Sequence, residues 1–76
     1  MQRKLTEREL LHIDAFVTLH YFRSKLEAGQ PIDPERLPDK LLEALEEHCA
    51  GRDMPLVDGR PHYRAADVLE LIIKFS

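Results

Sequence analysis

The first third of the chain has apolar residues at a helical period and no Gly or Pro before Gly29. Thr6 is followed three residues later by Glu9, the spacing of a capping box at a helix N-terminus. Gly29 stands where a helix commonly ends, and Pro31 follows it. The pattern predicts one long helix over about residues 5–28.

The apolar residues of this helix cover most of its circumference. At 100° per residue the polar side chains fall on one narrow stripe, made of Glu7, Asp14, Thr18 and Lys25. Ordinary surface helices carry an apolar stripe only somewhat wider than 100°, so this helix needs cover on more than one side. A second copy of the chain is the expected cover, and the alternative is that the two later helices wrap it completely. The predicted dimer interface consists of Leu10, Ile13, Phe16, Val17 and Tyr21.

A linker and a second, amphipathic helix follow. Residues 29–38 contain three prolines and are expected to be irregular, and residues 39–50 return to a helical period. The expected apolar face of this helix carries Leu41, Leu42, Leu45, His48 and Cys49. The opposite side carries Glu43, Glu46 and Glu47, a candidate docking face for a basic partner. The alternative is a solvated helix face.

The last part of the chain predicts a turn and a third helix. Asp58-Gly59 is a favoured central pair of a type I′ turn, so residues 54–64 are expected to form a short hairpin. Pro55 and Pro61 cannot donate to a ladder, which keeps both strands short. Residues 65–75 are strongly apolar and predict a C-terminal helix. The fold class is therefore mainly α, a single small domain over residues 1–76 that assembles as a helical homodimer.

Composition narrows the environment and the chemistry. Cys49 is the only cysteine, and no apolar run follows the basic start of the chain, which favours a reducing cytoplasm. The longest apolar run, Leu71-Ile72-Ile73, is too short for a membrane span. No metal-binding spacing, phosphate-binding glycine motif or catalytic constellation is present, so we expect no enzyme activity, metal or cofactor. His48 and Cys49 are adjacent and point about 100° apart on a helix, which excludes a nucleophile–base pair.

Residues 54–72 combine a short strand, a Gly-Arg turn, an aromatic-basic return strand and an Asp-Val helix start. This stretch resembles the wing and following helix of excisionase-like DNA-binding domains, and is similar to the corresponding part of MerR-type regulators. The resemblance implies phosphate contacts by Arg60, His62 and Arg64, with Arg52 nearby. It covers 19 of 76 residues, and the preceding helix has an acidic exposed side where those families have a recognition helix. The alternative is a tight connection with Tyr63 packed on the core.

Two functional hypotheses follow. The first is a small, non-enzymatic cytoplasmic interaction or regulatory module that pairs with itself and with a further protein. The second is a winged DNA-binding regulator, which the net charge of -3 and the pI of about 5.7 disfavour.

Overall fold

The computed structural model describes residues 4–76. Over this range it contains four α-helices, α1 (Glu7–Tyr21), α2 (Arg23–Glu27), α3 (Asp39–His48) and α4 (Ala65–Phe75). A short antiparallel hairpin, β1 (Leu56–Val57) and β2 (Arg60–Pro61), separates α3 from α4. The predicted mainly helical fold with a small hairpin and a C-terminal helix is confirmed. Residues 1–3, where the chain's basic start begins, lie outside the described residues.

The predicted long helix begins two residues later than expected and is interrupted at Phe22. The capping box forms as predicted: the Thr6 hydroxyl accepts from the Glu9 amide at 3.1 Å, and the Glu9 carboxylate accepts from the Thr6 amide at 3.3 Å. At Phe22 the backbone leaves helical geometry, with φ −107° and ψ 15°. No Gly or Pro marks the position, so the break has no local signal. At this break Phe22 packs against the core, and Leu26 in the following helix α2 is buried.

The polar stripe of α1 turns inward, toward α3 and the linker. The Asp14 carboxylate accepts a hydrogen bond from the Leu41 amide at 3.3 Å, in the first turn of α3. Pro38, the residue before α3, provides no side-chain cap, so Asp14 satisfies one of the free amides there. Lys40 lies 3.8 Å from the Glu7 carboxylate, and Thr18 is 0% exposed. The Asp14–Thr18 side thus packs on α3 and the linker. The wrapped alternative is wrong, because Ile13, Phe16 and Tyr21 on the other side remain exposed.

One hydrophobic core joins the helices, the linker and the end of the hairpin. From α3 it takes Leu41 and Leu45, as its amphipathic pattern predicts, and Cys49 is buried beside them. The other buried apolar members are Ala15, Leu26, Ile32, Leu37, Tyr63, Ala65, Val68, Leu71 and Ile72. Among residues 4–76 no helix has both the length and the apolar character to cross a bilayer.

Backbone hydrogen bonds connect the linker to the segment that contains the hairpin. Asp58 and Gly59 both have positive φ, 52° and 78°, which confirms the type I′ turn. Beyond the hairpin Tyr63 exchanges two backbone hydrogen bonds with Ile32 in the linker, at 2.8 and 2.9 Å. The linker is thus more ordered than expected, and it also contains a 3-10 turn at Pro34–Arg36.

Thr18 offers a test of the inward packing, because its buried hydroxyl has no hydrogen-bond partner among residues 4–76. Thr18→Val removes the hydroxyl at nearly constant shape and should raise the free energy of unfolding by about 1 kcal/mol. Urea denaturation at one fixed protein concentration measures the change. The matched control is Thr6→Val, which removes a hydroxyl that caps α1 and should lower the free energy of unfolding by about 1 kcal/mol. Destabilisation by both substitutions would contradict the predicted difference.

Asp14 provides a second test. Asp14→Ala should lower the free energy of unfolding by about 1 kcal/mol, because it leaves the Leu41 amide of α3 without its carboxylate partner. Asp14→Asn keeps an oxygen that can accept this hydrogen bond and should recover part of the loss. Equal urea midpoints for Asp14→Ala and the unmodified chain would show that the cap contributes nothing.

Candidate functional site

The most distinctive surface of the molecule is the side of α1 that points away from the core. We call this surface the outer face and define it by Ile13, Phe16, Val17, Leu19 and Tyr21. Phe16 is 68% exposed and Tyr21 is 78% exposed, and the other three side chains are also classed as exposed. Four of the five predicted interface residues lie on it, while Leu10 is half-buried at its edge. Leu19 was absent from the predicted interface because a wheel that is apolar nearly all round does not show which side faces out.

The outer face continues into a groove between the N-terminal helices and α4. Phe16, Leu19 and His20 line one side of the groove and Leu69 lies on α4 at the other, around a volume of about 530 Å³. Ile73, one turn beyond Leu69, is 74% exposed. Arg23 and Glu27 lie at the rim and form an exposed ion pair at 3.1 Å. The arrangement is an apolar strip with charges only at its edges, which is typical of protein-binding surfaces.

Residues 15–22 also favour a protein-binding surface, because they contain no Asp, Glu, Lys or Arg in a chain where charged residues make up 33%. Contiguous exposed apolar surface is uncommon on monomeric proteins and marks interaction sites. Charge is depleted at the centre of protein interfaces and retained at their rims. The outer face has both properties.

The three predicted nucleic-acid contacts are all engaged within the chain. Arg60 donates to the Asp33 carboxylate at 2.7 Å and to the Glu35 carboxylate at 3.4 Å. Arg64 donates to the Asp53 carbonyl at 2.6 Å. His62 is buried, and its Nδ1 lies 3.0 Å from the Arg60 carbonyl. DNA binding by these residues stays a prediction.

Arg60 instead clamps the hairpin to the linker. Asp33 is the N-cap of the 3-10 turn, where its carboxylate also accepts from the Glu35 amide at 3.0 Å. This backbone hydrogen bond is the main cause that lowers the pKa of Asp33 below its ordinary value of 3.8; desolvation opposes it, and the nearby Arg60 guanidinium adds to the lowering. The clamp therefore contributes most above about pH 4.

The predicted acidic docking face also lies on the surface. Glu43, Glu46 and Glu47 are exposed on α3, and Lys40 approaches the Glu43 carboxylate to 3.8 Å. Nothing in the structure favours docking over solvation, and the docking role stays a prediction.

One group of potential metal ligands does not correspond to any metal-binding motif in the sequence. His48 at the end of α3 meets Asp67 and Glu70 of α4, with one ligand atom of each residue within 4.8 Å of the others. Spacing does not reveal this cluster, because packing of α3 on α4 brings its members together. These groups already have partners: His48 Nε2 lies 3.2 Å from a Glu70 carboxylate oxygen, and Arg52 lies 3.3 Å from Asp67. We therefore assign this corner to polar contacts that join α4 to the end of α3 and the residues after it.

The buried thiol of Cys49 lies beside this corner. Burial raises the pKa of Cys49 above its ordinary value, and the Asp67 carboxylate adds to the shift. A buried, protonated thiol agrees with a packing role for Cys49.

Comparison of the chain with protein-family models, with curated proteins and with solved structures finds no match.

The pKa of Asp33 makes the clamp testable. Because the pKa of Asp33 is lowered in the folded state, the ionised Asp33 carboxylate stabilises the fold above about pH 4. This stabilisation is lost as the pH falls through the pKa of Asp33 in the folded state. We expect urea unfolding between pH 6 and about pH 2.5 to show a smaller acid loss of stability in Asp33→Asn than in the unmodified chain. Arg60→Gln keeps the Glu35 amide bond and should show an intermediate loss. Superimposable pH profiles for all three proteins would rule the clamp out as a source of acid sensitivity.

Proposed function

We propose that the protein is a small cytoplasmic interaction module that works without chemistry of its own, by pairing two copies through the outer face of α1. The observation that carries the proposal is the exposure of Phe16 at the centre of an apolar, charge-free stretch of helix. Full burial of a phenylalanine side chain is worth about 1.5–3 kcal/mol. Several such side chains on one face supply the driving force for association.

A second copy of the chain is the occupant that fits the charges of the helix. α1 carries one Arg against two Glu and one Asp, a net charge of −2, and α2 carries Arg23 and Lys25 against Glu27, a net charge of +1. Two consecutive helices of opposite net charge are complementary to an antiparallel copy of themselves. Two-fold pairing of one surface with itself is also the commonest form of protein oligomer.

Pairing would also compensate for the small hydrophobic core of a single chain. A chain of 76 residues buries a modest fraction of its surface, and its single cysteine cannot form an internal disulfide. Covering the outer face with a second copy would enlarge the apolar volume without a disulfide or a metal.

The test is the mass of the protein in solution. Sedimentation equilibrium at micromolar concentration should give about twice the chain mass of 8.9 kDa. Phe16→Asp should shift the mass to that of one chain while the circular-dichroism spectrum stays helical, since Phe16 is mostly exposed and contributes little to the core. The matched control is Leu56→Asp on the hairpin, where a side chain of similar exposure (69%) lies away from α1. A folded protein of 8.9 kDa up to about 100 µM, where even an association as weak as a Kd of about 10 µM would show, would refute self-association through this face.

A further inference from the structure

The groove beside the outer face has apolar walls and a rim whose charges are already paired. Phe16 and Leu19 lie on the α1 side of the groove, and Leu69 lies on the α4 side. At the rim the Arg23 guanidinium lies 3.1 Å from the Glu27 carboxylate, so these two charges satisfy each other. The residues that line the groove therefore include no unpaired Asp, Glu, Lys or Arg, which favours an apolar occupant over a charged ligand.

The area of the outer face indicates that a stable pair needs more surface than α1 provides. Its five side chains are between 36% and 78% exposed. At about 150–250 Å² for one large side chain, their complete burial would cover roughly 500 Å² per copy. A stable protein interface buries about 800 Å² per partner. The groove adds the wall at Leu69, and Ile73, one turn further along α4, is strongly exposed.

We infer that Phe16 of each copy lies in the groove of the other copy, against Leu69, so that α4 shares the interface with α1. This inference rests on the proposed self-association and adds how the two surfaces fit. Phe16 lines the groove of its own chain and is mostly exposed. In a two-fold pair every contact occurs twice, so the ring of each copy can fill the groove of the other. Neither copy then keeps an exposed Phe16 ring or an empty groove.

This arrangement places the interface on the α4 flank of the outer face and leaves Tyr21 outside its centre. Tyr21 lines a separate depression on the opposite flank, together with Val17 and Leu37 of the linker. Ile73 and Tyr21 are similarly exposed, 74% and 78%, so exposure alone does not distinguish their contributions. Their positions relative to the groove do.

The two flanks provide the first test. Ile73→Lys should weaken self-association at least about tenfold, because it places a charge in the inferred interface. A cation in the last turn of α4 suits the helix dipole, so the chain should stay folded. Tyr21→Lys is the matched control and should weaken self-association less than about threefold. Sedimentation equilibrium measures both dissociation constants, and an equal or larger effect of Tyr21→Lys would overturn the inference.

A mixture of two variants tests the fit between ring and groove. Phe16→Ala removes the ring and leaves the groove open, whereas Leu69→Phe fills the groove and keeps the ring. Each variant alone should pair weakly, because neither has both parts of the contact. In the mixed dimer one contact is restored, so this species should exceed the statistical fraction. Sedimentation with one fluorescently labelled variant measures the mixed species, and statistical mixing would contradict the inferred fit.

Nuclear magnetic resonance on the unmodified chain gives an answer even if Leu69→Phe fails to fold. Phe16 and Leu69 line the same groove within one chain, so contacts between copies must be separated from contacts within a copy. An equal mixture of chains with isotope-labelled leucine methyl groups and unlabelled chains achieves this separation. We expect a nuclear Overhauser effect between the Phe16 ring of one copy and the Leu69 methyl groups of the other. Contacts of Phe16 between copies that do not include Leu69 would overturn the inference.

The outcomes for the inference and for the proposed function are distinct. A monomer under all conditions overturns both. A dimer that Phe16→Asp dissociates, but that Ile73→Lys leaves intact, overturns the participation of α4 and leaves self-association through the outer face of α1 in place.

Discussion

The contact between α1 and the first turn of α3 ties together the parts of the fold that frame the exposed surface. The first turn of α3 follows Pro38, which has no side-chain group to satisfy the free amides of a helix start. The Asp14 carboxylate accepts from the Leu41 amide at 3.3 Å, and Glu7 approaches Lys40 nearby. Ala15 and Thr18 are buried on the inward side of α1, although the Thr18 hydroxyl has no hydrogen-bond partner among residues 4–76. The opposite side of the same helix faces out and carries Phe16 and its apolar neighbours.

The second constraint is the clamp between the hairpin and the linker. Ile32 and Tyr63 pair through their backbones, and Arg60 spans to Asp33 and Glu35. Together they tie the proline-rich linker to the start of α4. Arg60 pairs with carboxylates of its own chain, and Arg64 donates to a backbone carbonyl. In a wing that contacts DNA such cations would face phosphate, and that role stays a prediction for residues 54–72.

Local features of the fold were readable from the sequence because they depend on neighbouring residues. The Thr6–Glu9 capping box and the Asp58-Gly59 turn each rest on contacts within four residues, and both form as predicted. The amphipathic period of α3 correctly placed Leu41 and Leu45 in the core. The break at Phe22 was not readable, because no Gly or Pro signals it; in the structure Phe22 packs against the core there. The sequence did not reveal the cluster of His48, Asp67 and Glu70 either, because its members are distant in the chain and only tertiary packing brings them together.

For the candidate site, too, the sequence predicted one part and the tertiary structure decided the rest. The sequence by itself determined that α1 needs cover on more than one side, because nine apolar residues between Leu10 and Phe22 exceed what one side of a helix holds. It did not determine which of them remain exposed, since a helix that is apolar nearly all round has no preferred inner face. The tertiary structure decided that point: the side with Asp14 and Ala15 packs inward, where Asp14 caps α3, and Phe16 on the opposite side is left in solvent. The physical reason is that this packing joins residues far apart in the chain, such as Asp14 and Leu41, and no local pattern encodes such a contact.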